Sequence, residues 1–354
     1  MNAFFMGAGS SYGTLRRCGT PGCPPLAVGF GKALASVSDW EGKYPSIKRV
    51  ADALGRPLTE LGLEAIWSHI DYCAKLGETL PPLSRCPDPI RASPDLKRAL
   101  LLLYGRECDN AAGKLPLSEK YTLGCLLKNR LQPGDVIISF NYDTVVERLA
   151  KRFGYALQSV GGANSKAVTV VKPHGSASWC LDLKAKTVTS TGGDGSPLLE
   201  SLSEDDVSKG LEPLLLGAVP IKSELIREVQ ETCGMRDVFH TIKLQWRAVV
   251  EAVRDADAFI VVGYSFPKED QYGRFLLREG ALMRSKPIAV DFYEVPAHRS
   301  STEASIMEAF PAKRIHLAWK GEVKPHSGTT DHSLTCLTLA GIIALAGYRI
   351  WRTR

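Results

Sequence analysis

Residues 1–13, MNAFFMGAGSSYG, carry the reading on which the fold turns. The apolar run at 2–6 has the character of a buried strand. It passes straight into Gly7, Ala8 and Gly9, then Ser10 and Ser11, with no bulky side chain between. The stretch from Gly7 to Gly13 therefore reads as a turn after a first strand. Glycines there let backbone N–H groups approach a phosphate closely, and the serines add hydroxyl donors. A tight strand-to-helix turn without a ligand is the alternative, since the spacing matches neither GxGxxG nor the GK[ST] ending of a P-loop.

Working outward, strand character returns at DVIISFN (135–141), AVTVVKPHGS (167–176), DAFIVVGYSF (257–266), PIAVDFYEV (287–295) and AKRIHLAW (312–319). The run at 257–266 is almost continuously apolar, as expected when both faces of a sheet are covered. Helical patterns stand between them, in TVVERLAKRFG, in HTIKLQWRAVVEAVRDA and from about Asp270 to Arg284. Residues 31–130 look helical throughout, with apolar residues at helical spacing in LGLEAIWSHIDYCAKL and SPDLKRALLLLYGREC. In the second of these, Ser93 is placed to cap a helix and Pro94 to open it. Residues 184–210, rich in Ser, Gly, Asp and Lys, read as an exposed excursion. Strands alternating with helices on both sides of a helical block predict an α/β fold: a Rossmann-like, doubly wound parallel sheet with an inserted helical lobe. The sheet domain is expected over 1–30 and 131–332, the lobe over 31–130 and an apolar C-terminal helix over 333–354.

Composition agrees with a globular chain. It has 354 residues, 44% hydrophobic and 23% charged, enough for a sizeable core without staples. The formal net charge of +6 suits a small polyanionic ligand, and no block of like charge suggests a nucleic-acid tail. Nine cysteines, with no CxxC pair, read as free thiols of a reducing cytoplasm rather than a zinc site. No signal peptide is visible. The apolar run from Leu334 to Tyr348 is shorter than the ~20 residues of a spanning helix, so a buried terminal helix is expected, a short anchor or oligomer contact being the alternative.

Polar residues cluster where strands end: GAGSS, SFNYD, VKPHGS and VGYSF. Ligands of open parallel sheets bind outside the carboxyl ends of strands, so the four clusters are expected to converge on one crevice. Asn141 and Asp143 are two apart, which in a strand puts both on one face. They suit a ribose diol or a water, or else an Asx turn before the helix that follows. His174 reads as either a base or a hydrogen-bonded structural histidine. Gly263 and Ser265 read as another ligand edge or a capped turn, with Asp270 nearby. The other histidines show no ligand spacing.

Together the four clusters resemble the sirtuin-like NAD-binding family, and in style the bacterial antiphage-defence sirtuin-like enzymes that hydrolyse NAD. Gly7, Ala8, Gly9 and Ser11 match the family's GAGxS. Asn141 and Asp143 match its NxD, His174 and Gly175 its catalytic HG, and Gly263 and Ser265 its later GxS. The resemblance implies that the glycine stretch with Ser10 and Ser11 cradles the pyrophosphate. It places Gly263 and Ser265 at the ribose and the strand end near Asp291 beside adenine. Asn141, Asp143 and His174 become the catalytic set. It also implies NAD as substrate without a metal, a homo-oligomer or a separate sensor or activator protein, and a cytoplasmic location. Three departures weigh against protein deacylation: the absent CxxC pairs, Phe140 where the family has Gln, and GCPPLAVGF (22–30) in place of the GIPDFR-like loop. An NAD-dependent deacylase or ADP-ribosyltransferase, and a non-catalytic NAD or ADP-ribose sensor, remain the alternatives to an NADase.

Overall fold

A computed structural model describes residues 1–17, 24–77, 89–115, 122–182, 187–189, 202, 212–216, 236–268, 270–294, 296–311 and 314–320. The expected C-terminal helix over 333–354 and nearly all of the excursion at 184–210 lie outside the described residues. The strands are β1 (Asn2–Met6), β2 (Val136–Ser139), β3 (Leu157–Ser159), β4 (Val168–Val171), β5 (Gly175–Asp182), β6 (Thr187–Thr189), β7 (Glu212–Leu215), β8 (Ala258–Val262), β9 (Ile288–Tyr293) and β10 (Ile315–Trp319). The α-helices are α1 (Ala8–Arg17), α2 (Phe30–Ala35), α3 (Trp40–Lys43), α4 (Pro45–Leu54), α5 (Leu63–Gly77) and α6 (Pro89–Tyr104). After these come α7 (Arg106–Lys114), α8 (Thr122–Arg130), α9 (Val145–Arg152), α10 (Arg236–Asp255), α11 (Gln271–Leu282) and α12 (Arg299–Ala309).

Seven strands form one parallel sheet in the order β10-β9-β8-β1-β2-β4-β3. This is the expected Rossmann-like α/β architecture. Strand β1 is central, so its alternate side chains face two cores. Ala3 and Phe5 pack with β8, β9 and the helices α10, α11 and α12. Phe4 and Met6 pack with α7, α8 and α9 on the other face. Burial on both sides explains why these strands read as unbroken apolar runs.

A third core is built by α2, α4, α5 and α6 around Phe30, Tyr44, Ile47, Trp67 and Leu100. Helices α7 and α8 belong instead to the sheet, since Cys108, Ala111, Leu126 and Leu127 pack beneath β1 and β2.

Three local expectations are corrected. Helix α1 begins at Ala8, so of the stretch read as a turn, Gly7–Gly13, all but Gly7 is the first part of a helix. Contact of Leu15 with the core outweighs the low helix propensity of its glycines. Helix α6 begins at Pro89, itself suited to a first position, which leaves Pro94 inside it without a bond to the Ile90 carbonyl. Residues after His174 form an antiparallel sheet, β6-β5-β7, that the sequence pattern did not suggest.

Candidate functional site

Strands β8, β1, β2 and β4 are consecutive neighbours, and the four polar clusters follow their four carboxyl ends. The glycines come first. The Gly7 amide donates to the Val262 carbonyl at 3.1 Å and the Gly9 amide to the Gly263 carbonyl at 3.0 Å. A Cβ on Gly7 would stand 2.4 Å from the Gly263 oxygen, and one on Gly263 would stand 2.3 Å from the Ser10 nitrogen. The small residues therefore let the ends of β1 and β8 touch backbone to backbone. The amides of Gly9 and Ser10 are already spent on protein carbonyls, at Gly263 and Gly7. The Ser10 and Ser11 hydroxyls are committed too, donating to the Gly7 carbonyl at 2.7 Å and to Asp143, so a ligand at this turn would rely chiefly on the dipole at the start of α1.

Asn141 and Asp143 both reach this turn. The Asn141 Nδ2 donates to the Gly7 carbonyl and to Ser11 Oγ, each at 3.0 Å, and lies 3.4 Å from Ser10 Oγ. Those donations fix the amide's orientation. Its Oδ1 is buried and has no hydrogen-bond partner among the described residues. Ser11 Oγ donates to Asp143 Oδ1 at 2.8 Å, and the Val145 amide donates to the same oxygen at 3.1 Å. Asp143 therefore forms the Asx turn ahead of α9 as well as the polar cluster. Burial pushes its carboxyl up to about 6, against the pull of Lys172 and with a further push from Glu147.

Beneath Asp143 lies a buried ion pair. Lys172 Nζ is 2.9 Å from Glu147 Oε1, donates to the Asp143 carbonyl at 2.7 Å and reaches Ser139 Oγ at 3.3 Å. Both charges are 3% exposed, so each depends on the other.

His174 belongs to a second cluster. Its Nε2 lies 3.0 Å from Asp270 Oδ2, off the axis of a straight hydrogen bond. The Tyr264 hydroxyl donates to the same oxygen at 2.9 Å, and the Gly273 amide to Asp270 Oδ1 at 3.1 Å, so Asp270 also caps α11. Phe140 joins the two clusters. It stacks on Tyr264 with ring centroids 4.3 Å apart and meets the His174 ring edge-on at 5.2 Å. The loop leading to Asp270 holds Phe266 at φ 50°, a costly backbone for a buried aromatic, which indicates that packing dictates the loop's path.

Of the expected site residues, Gly7, Gly9, Ser10, Ser11, Asn141 and Asp143 meet directly, with Ala8 as the first residue of α1 and Gly263 against the turn. His174 stands at the adjacent strand end. Ser265 is exposed between buried Tyr264 and Phe266 and makes no hydrogen bond to the others. Asp291 lies within β9 rather than at its end, held by Arg130 at 3.2 Å and Lys320 at 3.3 Å. Its carboxylate is committed to those cations. Lys172, Glu147 and Tyr264 were not anticipated, and Asp270 was noticed only for its nearness to Ser265. A lysine inside a buried strand end was the available signal for the ion pair, because such a charge needs a partner.

Among the described residues no group of three or more His, Cys, Asp or Glu stands close enough to hold a metal ion. Cys73 and Cys108 are buried and Cys180 is half-buried. No described helix is long and apolar enough to cross a membrane. Comparison with family models and with curated proteins finds no match for the chain. Fold and site together define a Rossmann-like α/β protein with a buried amide–carboxylate pair and a histidine–carboxylate pair at neighbouring strand ends.

Proposed function

We propose that this chain is an NAD glycohydrolase that releases nicotinamide and ADP-ribose, acting in antiphage defence by depleting NAD. The observation that carries the reading is Asn141. Its amide is oriented by Gly7 and Ser11 so that a buried acceptor, Oδ1, is left for a ligand at the start of α1. Unpaired buried acceptors are expensive, and a ribose hydroxyl or a held water is the kind of partner that offsets the cost.

The N-glycosidic bond of NAD brings its own good leaving group, because the cationic nicotinamide departs neutral. The protein then needs to hold the sugar, stabilise positive charge at its anomeric carbon and direct a water. Asn141 positions the ribose or the water. Asp143, beside Ser11, supplies negative charge toward the sugar when ionised. His174 accepts the proton, and the Asp270 carboxylate beside Nε2 favours the charged ring that results. Phe140 and Tyr264 shield this side of the site with apolar surface.

The decisive experiment incubates the purified chain with NAD and follows nicotinamide, with Asn141→Ala and His174→Ala beside it. Release that depends on both residues supports the reading. Release only with an acylated peptide makes the chain a deacylase, and binding without release makes it a sensor. Regulation belongs to the same proposal: a constitutive NADase is lethal, so a homo-oligomer or a separate activator protein controls it.

A further inference from the structure

Between Asn141 and Asp143 stands Tyr142, whose ring leaves the site altogether. The alternation that sends its neighbours to Ser11 sends Tyr142 the other way, into the core of the helical lobe. Among the buried residues described in that core, all come from 30–104 except Tyr142 and Leu215. The Tyr142 ring stacks on Trp67 with centroids 6.4 Å apart and meets Tyr104 edge-on at 6.2 Å. Its hydroxyl donates to the Leu216 carbonyl at 2.7 Å. Burial raises the phenol far above its ordinary value, so it stays a donor.

Leu216 in turn donates its amide to the His174 carbonyl at 2.9 Å, and Leu215 pairs with Gly175 in the antiparallel sheet. The Ala177 amide donates to the Tyr142 carbonyl at 2.8 Å. One apolar core therefore grips the Asn141–Asp143 segment through Tyr142 and the His174 segment through Leu215, while Leu216, packed in the sheet core, hydrogen-bonds to both Tyr142 and His174. Neither grip touches a ligand position directly.

We infer that Tyr142 is a positioning residue through which the helical lobe sets the geometry of the site, so that lobe packing remote from Asn141, Asp143 and His174 governs the chemistry done there. This rests on the reading of the site as catalytic. Its physical basis is that catalysis is steep in distance: a displacement near 1 Å costs on the order of 10²-fold in rate.

The test compares Tyr142→Phe, which deletes the hydroxyl, and Trp67→Leu, which alters only the lobe, with the wild-type full chain. Two quantities are read. One is nicotinamide release, as kcat and KM. The other is the titration midpoint of Asp143, followed by its carboxyl infrared band and assigned by difference from Asp143→Asn. Expected are a kcat lower by about 10-fold or more with KM changed by less than about 3-fold, and a shifted Asp143 midpoint, in both variants. Variants that melt earlier yet keep the wild-type kcat and Asp143 midpoint overturn the inference. If even the wild type releases no nicotinamide, the functional reading fails, while the Asp143 midpoint still decides whether the lobe positions this segment.

Discussion

Asp270 and His174 stand in contact, carboxylate to imidazole at 3.0 Å, although 96 positions separate them in the chain. The pairing links the loop after β4 to the cap of α11. Asp270→Asn keeps a capping oxygen for the Gly273 amide but removes the charge that favours a protonated ring. We expect near wild-type melting and a kcat for nicotinamide release lower by about 10–100-fold, within the usual worth of a positioned base. A variant as active as wild type would show that the carboxylate serves only the helix cap and the Tyr264 hydroxyl.

His174→Ala removes the base itself. Turnover is expected to fall by ~10²–10⁴-fold. NAD affinity, measured by calorimetry, should change much less, because the start of α1 and Asn141 lie in the other cluster. Turnover equal to wild type would remove His174 from the mechanism.

Asp143 imposes a pH dependence on stability. Its folded-state carboxyl is raised to about 6 from an ordinary 3.8, chiefly by burial. Between those values the folded protein keeps a proton that the unfolded chain has already lost. Its contribution is therefore full below about pH 4, declines as pH rises toward 6 and is level above that, a change of roughly 2–3 kcal/mol. Asp143→Asn retains an acceptor for Ser11 and Val145 and should gain stability over wild type across this window while losing activity. Urea unfolding from pH 4 to 7 checks both the slope and its sign; parallel curves for the two proteins would contradict it.

Gly263→Ala tests the close approach of β8 to the turn after β1. The residue sits at φ +59°, and its new Cβ would meet the Ser10 nitrogen and the Gly9 backbone, neither of which can swing aside. Left-handed backbone and overpacking together should cost about 2–4 kcal/mol. Denaturant titration reads this whether or not the chain is an enzyme, and an unchanged midpoint would mean that the two strand ends are not in contact.

Lys172→Met leaves Glu147 buried without its counter-charge and should destabilise by about 3–5 kcal/mol. Lys172→Met with Glu147→Leu removes both charges and should recover most of the loss. A double variant no more stable than the single one would show that the pair is not an isolated unit of charge.

The sheet was legible because its central strands are apolar runs closed by Gly, Pro or polar residues, as in DVIISFN and DAFIVVGYSF, whereas the short edge strand β3, LQS, left no such mark. The β5–β7 sheet was not. Its strand GSASWCLD mixes small, polar and aromatic residues with no period, and its pairing partner β7 comes thirty residues later. Likewise Gly7–Gly13 gave no local sign of a helix, since three glycines and two serines oppose one, and only docking of Leu15 into the core decides that Ala8 begins one. At the site, the shared face of Asn141 and Asp143 followed from a spacing of two. Partners such as Asp270 for His174 did not, because nothing in local sequence reports which distant loop returns to a given side chain.

By itself, then, the order of apolar runs and small polar strand ends determined a parallel α/β sheet with its polar clusters at the carboxyl ends of adjacent strands, because burial on two faces and the turns that close each strand both leave local marks. Tertiary structure alone decided that the glycines serve a contact between strand ends, that Asp291 is paired with Arg130 and Lys320, and that Asp270, Lys172 and Tyr142 support the cluster. Those outcomes depend on desolvation and packing between segments far apart in the chain, which no short stretch of residues encodes.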